Sequence, residues 1–131
     1  MLQFGVAARN AWLASIEAAI GALPLLQLFA GSEPSDCSQP DPAGLLATII
    51  LPSDWLTAPA GGTVGQLGTW SANAIANGVA ASFRIKDSTG TVVHMQGSVG
   101  QGTGDLSLQA TNLLAGQLVT ISVFNLTAGN A

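Results

Sequence analysis

The stretch Val79-Ala80-Ala81-Ser82-Phe83-Arg84-Ile85-Lys86-Asp87-Ser88-Thr89-Gly90-Thr91-Val92-Val93-His94-Met95-Gln96-Gly97-Ser98-Val99 decides the fold. Residues 79–86 alternate, with Ala81, Phe83 and Ile85 on one face and Ser82, Arg84 and Lys86 on the other. Period-two alternation marks a strand with one face buried. Asp87-Ser88-Thr89-Gly90 reads as a hairpin turn, with glycine where a positive φ is easiest. Residues 91–99 then return with Val93, Met95 and Val99 inward and His94, Gln96 and Ser98 outward. This is an antiparallel hairpin, not a helix.

The rest of the second half follows the same rule. Gly100 to Gly104 is a loop, and residues 105–109 form a short strand with Leu106 and Leu108 on one face. Residues 112–117 turn, and 118–126 form a last strand with Val119, Ile121 and Val123 inward. Toward the N-terminus, Leu25–Phe29 and Leu45–Leu51 are further strands. Between them lies a loop, Gly31 to Gly44, with three prolines and the acids Glu33, Asp36 and Asp41. Residues 57–68 read as a long Gly/Ala/Pro loop flanked by Trp55 and Trp70. Short strands joined by glycine-containing turns predict a mainly β protein, an antiparallel β-sandwich with jelly-roll-like character.

One segment breaks the pattern. Residues 5–21 are rich in alanine, and Val6, Leu13, Ile16, Ile20 and Leu23 recur at three- and four-residue steps. This predicts one N-terminal α-helix, capped at Gly21 and stopped by Pro24. The expected organisation is residues 1–24 as an assembly arm and residues 25–131 as the sandwich domain. A helix this short is unstable alone in water, so its stripe must pack on something. Trp12 lies beside the stripe and widens it, which points to burial against a neighbouring subunit. Val6, Trp12, Leu13, Ile16, Ile20, Trp55 and Trp70 are therefore the candidate interface residues.

Composition narrows the function. Of 131 residues only 8% are charged while 48% are hydrophobic, and the net charge is −4. Ordinary soluble domains carry about 25% charged residues. A surface so poor in charge suits packing against copies of itself more than mutual repulsion. Arg9, Arg84 and Lys86 are the only cations, too few to build a phosphate-binding patch, so no direct nucleic-acid partner is expected. Met1 to Gly5 carries no basic secretory n-region, no apolar run is long enough to span a membrane, and one cysteine cannot form an internal disulfide.

Candidate chemistry is sparse. His94, the single histidine, has no ligand-spaced Cys or Asp in its strand. Cys37 stands between Asp36 and Ser38, a setting that disfavours a thiolate nucleophile. Glu33, Asp36 and Asp41 do not follow a calcium-loop spacing and read as a solvated acidic loop. Gly100-Gln101-Gly102-Thr103-Gly104 lacks the lysine and the helix of a phosphate loop. Ser53 and Ser71 have no triad around them. No catalytic residue, metal or cofactor is expected, and the chain reads as a non-enzyme.

The order of features carries a resemblance. A helix and a proline-rich loop with one cysteine precede Leu51-Pro52-Ser53-Asp54-Trp55 and Gly68-Thr69-Trp70. Phe83 to Thr91, His94-Met95-Gln96-Gly97-Ser98-Val99 and Gly104-Asp105-Leu106 follow, and the chain ends Leu126-Thr127-Ala128-Gly129-Asn130-Ala131. Over nearly its whole length this resembles small virion structural proteins of tailed bacteriophages. The resemblance implies a particle component made in the bacterial host cytoplasm, with copies of itself and the major capsid protein as partners. A capsid decoration (cement) protein fits best. A neck, tail or fibre component is the alternative, in which the helix stripe would form a trimeric stem. A carbohydrate-binding module is a third reading, and requires Trp55 or Trp70 to be exposed.

Overall fold

The computed structural model describes residues 2–128. Its elements run α1 (Val6–Ile20), β1 (Leu25–Phe29), β2 (Leu45–Ile50), β3 (Thr63–Gly65), β4 (Ser71–Asn73), β5 (Gly78–Val79), β6 (Ser82–Lys86), β7 (Val93–Gly100), β8 (Leu106–Leu108), β9 (Asn112–Leu113) and β10 (Leu118–Thr127). The protein is mainly β with one N-terminal helix. An eight-stranded sheet in the order β2-β1-β6-β7-β8-β10-β3 curls around a shared core, β4 joins β10 beside β3, and β5 and β9 form a separate ribbon.

The deciding hairpin folds as its alternation requires. β6 and β7 are antiparallel, with Phe83 opposite Gly97 and Ile85 opposite Met95. At the turn, Gly90 adopts φ +74°. The Asp87 carboxylate accepts from the Thr89 hydroxyl at 2.9 Å and from the Thr91 N–H at 3.0 Å. Phe83, Ile85, Leu106, Leu108, Val119 and Ile121 are all buried.

Three expectations about these strands need correction. Val123 is half exposed, and Phe124 is buried in its place. The cause is a register shift between Ile121 and Val123 where β10 meets β8, since one extra residue swaps the two faces of a strand. Second, the sheet is mixed, because β7 and β8 run parallel. A connection of five residues normally makes a hairpin. Here Gly102 and Gly104 take φ +72° and +82°, and the chain doubles back along β7. A Cβ on Gly104 would meet Gly100 N at 3.0 Å and Ser98 O at 3.3 Å, so the reversal depends on glycine there. Third, residues 57–68 are not all loop: they contain β3, and Leu56 bridges Gln66.

The core is organised around aromatic rings. Trp55 and Trp70 lie with centroids 6.1 Å apart, Trp70 and Phe124 5.4 Å, and Phe124 and Phe83 5.9 Å. All four are buried. Each indole N–H is satisfied inside, by Gly21 O at 3.2 Å for Trp55 and by Leu67 O at 3.0 Å for Trp70.

The helix belongs to the same body. Leu13 and Ile20 are buried and Ile16 packs against the core. Glu17 Oε2 accepts from the N–H of Trp55 at 3.0 Å and of Leu56 at 2.9 Å. Asn10 Oδ1 accepts from Gly62 N at 2.8 Å, and Arg9 Nε donates to Ala128 O at 3.2 Å. Residues 2–24 are therefore not a free arm: the helix stripe closes the subunit's own core. The helix ends at Ile20 with Gly21 at φ +89°, and Leu23, expected in the stripe, sits beyond it, half exposed with φ +53°.

Candidate assembly surface

Four of the seven candidate interface residues are committed internally. Trp55 and Trp70 are fully buried, and Leu13 and Ile20 nearly so, all within one chain. The physical reason is the same for each. Each belongs to the single buried cluster that helix and sheet share, so its burial closes the subunit's own core. Ile16 is partly buried against the same core.

Val6 and Trp12 remain outside. They are 50% and 51% exposed: Val6 stands in the first turn, ahead of the buried part of the stripe, and Trp12 stands on the stripe's flank. Phe4, 46% exposed, sets its ring edge-on to Trp12 with centroids 6.2 Å apart. Leu2 and Phe4, just ahead of the helix, and Val6 and Trp12, on it, thus present apolar side chains at the start of a helix that Glu17 and Asn10 hold to the body. A half-exposed indole on a rigid support is the kind of group that carries binding energy at interfaces. Sequence reading singled out Trp12 and Val6 but not Phe4, whose only signal is its position eight residues before Trp12.

The proline-rich loop has a different role from the one expected. Arg84 and Lys86 lie on the strand face opposite Phe83 and Ile85, yet both are buried, at 1% and 7% exposure. Residues 31–44 cover them. Arg84 donates to Gln39 O at 2.8 Å, Asp41 Oδ1 at 3.1 Å, Asp36 O at 3.3 Å and Gln96 Oε1 at 3.1 Å. Lys86 Nζ donates to Asp41 Oδ2 at 2.7 Å. Asp41 is a shared counter-ion. Partial burial opposes its charge, but the Lys86 hydrogen bond and charge, then those of Arg84, outweigh that and hold its carboxyl below the usual value. Asp36 is held low by the Ser38 hydroxyl and N–H. The acidic loop is thus a lid over buried cations, with Asp41 at its centre.

His94 is exposed on β7, and Cys37 is half-buried in the lid. Among the described residues no three His, Cys, Asp or Glu side chains converge as a metal site would require. No helix among them is long and apolar enough to cross a membrane. No family model matches the chain, and no curated protein or solved structure is significantly similar to it.

Proposed function

We propose that this chain is a structural subunit of a tailed-bacteriophage virion, without catalysis of its own, and that it acts as a capsid decoration protein contacting the major capsid protein and its own copies. The observation that carries the reading is the exposed Phe4–Trp12 pair with Val6, at the N-terminal part of a helix fixed to the body. The sparsely charged surface agrees with it, since contact between many copies costs little repulsion. A decoration protein must also resist strain. A core closed by helix, indoles and an ion-paired lid gives the subunit the rigidity to pass force between neighbours.

The alternatives lose their structural elements. A fibre stem needs the stripe of Leu13, Ile16 and Ile20 for partner helices, and those side chains pack on the subunit's own sheet. A sugar-stacking module needs Trp55 or Trp70 exposed, and both are buried. A neck or tail ring component stays as the second reading.

Quantitative mass spectrometry of purified particles of the encoding phage tests the proposal. A copy number on the scale of the major capsid protein supports decoration. A ring-sized copy number moves the subunit to the neck or tail. Absence from the particle overturns the virion reading. In the same particles Trp12→Ser should lower occupancy without changing the subunit's fold.

A further inference from the structure

We infer that the sheet holds a vacant strand position between β7 and β10, and that it receives an extended segment of a different protein chain bearing a basic residue. β8 is only three residues long, while the strands that flank it have eight and ten. It pairs with β7 only at Val99 and Gly100 and with β10 only at Ile121 to Phe124. Beyond Leu106 toward the chain start, neither flanking strand has a neighbour on that side among the described residues.

The pairing parity shows which backbone groups are left there. Val99 N donates to Ala81 O, so Gly97 and Met95 also face β6, and Ser98 and Gln96 face away from it. Ser98 confirms this: its N–H goes to Asp105 Oδ2 at 3.0 Å, a side chain standing where a strand would be. On β10, Gln66 N donates to Phe124 O and Ala128 N to Gly62 O, so Phe124, Leu126 and Ala128 face β3. Asn125 and Thr127 then face the gap. Strands on either side of a single missing one lie about 9.5 Å apart. The gap is an open cleft of about 570 Å³. Its floor is apolar, with the partly exposed Met95 over the buried rings of Phe83 and Phe124.

These features define the occupant. Its backbone must be extended to bond Gln96 on one side and Asn125 on the other. One side chain must be apolar and point at the floor. Among the described residues that line the cleft, Asp105 is the one charged group, at the end next to β8, and favours a Lys or Arg there. A second copy of this chain offers no uncommitted Lys or Arg for that place. Arg84 and Lys86 are buried on Asp41, and Arg9 is bonded to Ala128 O. The occupant is therefore a segment of another protein.

The inference is independent of the particle reading, which copy number tests, whereas this one is read from backbone amides. Amide hydrogen exchange on the isolated chain comes first. The N–H groups of Gln96 and Asn125 should exchange far faster than those of Met95 and Gly97. Protection of both closes the slot and overturns the inference. A randomised octapeptide library is then selected on the full chain, and the selected peptides are titrated by NMR. Enrichment of peptides with a basic residue, and amide shifts confined to residues 94–98, 105 and 124–127, are expected. N-methylation of the central peptide N–H groups should weaken binding by at least about tenfold, the weight of one lost hydrogen bond. D105N should weaken the basic peptides by about two- to fivefold, as for an exposed ion pair. An empty selection, or shifts elsewhere, overturns the proposal. Concentration-dependent shifts at the same residues without peptide would place a second copy there and overturn the choice of partner.

Discussion

Replacing Glu17 by alanine tests whether the helix is part of the subunit. Its Oε2 accepts two backbone N–H groups, those of Trp55 and Leu56, at 3.0 and 2.9 Å. Both residues are buried, so neither N–H can turn to water when the carboxylate is removed. An unmade bond to a buried donor costs about 1–3 kcal/mol. Two of them would give about 2–6 kcal/mol, and the lower half of that range applies because Glu17 is itself only half-buried and water can enter beside it. The expected cost of Glu17→Ala is thus about 2–4 kcal/mol. Glu17→Gln keeps an acceptor and should cost about 1 kcal/mol, the difference between a charged and a neutral bond. Urea unfolding followed by far-UV circular dichroism measures both, with an unchanged slope indicating that only the native state was altered. In thermal melts the alanine variant should fall by about 6–12 °C. A loss under about 0.5 kcal/mol for alanine, the level of an ordinary surface substitution, would refute the reasoning and return the helix to the status of a detachable arm.

The remaining expectations are simpler. Phe124→Ala should cost about 3–5 kcal/mol, whereas Val123→Thr should stay within about 0.5 kcal/mol, which checks the shifted register of β10 by chemical denaturation. Stability should fall on acidification below about pH 4, because a carboxyl held low in the fold contributes above its unfolded value and loses that contribution as it protonates. Asp41→Asn should flatten that part of the pH profile and destabilise the protein at neutral pH, since Arg84 and Lys86 lose their shared charge. Leu23→Asn should stabilise by up to about 1 kcal/mol in a melt, as asparagine tolerates the positive φ better than leucine.

Much of the sheet was legible because its signal is local. The alternation of Phe83 and Ile85, the Asp87–Gly90 turn, and the pairs Leu106/Leu108 and Val119/Ile121 each lie within a few residues. What stayed hidden depends on distant segments. Arg84 and Lys86 share the outward face of a strand, and nothing nearby says that a loop more than forty residues earlier will cover them. Val123 and Phe124 compete for one inward position, and the bulge that decides between them is set by the β8 partner. The parallel return of β8 turns on the doubling back at Gly104, a feature that five glycine-rich residues permit but do not announce. For the candidate surface, Trp12 was legible as a side chain exceeding its stripe. Trp55 and Trp70 were not, because an indole beside a loop looks alike whether it plugs a core or faces a partner.

The placement of the three indoles gives the protein a built-in optical partition. It contains no tyrosine, so ultraviolet emission excited near the red edge comes from tryptophan alone. Trp55 and Trp70 are sealed from solvent and in ring contact, and should emit toward the blue, out of reach of acrylamide or iodide. Trp12 is half open and should emit toward the red and be quenched readily. A quencher added to the folded chain therefore reports on one surface residue, and the wavelength of the remaining light reports on the interior. Docking on the helix face would shield the first signal and leave the second untouched, while denaturation would move both.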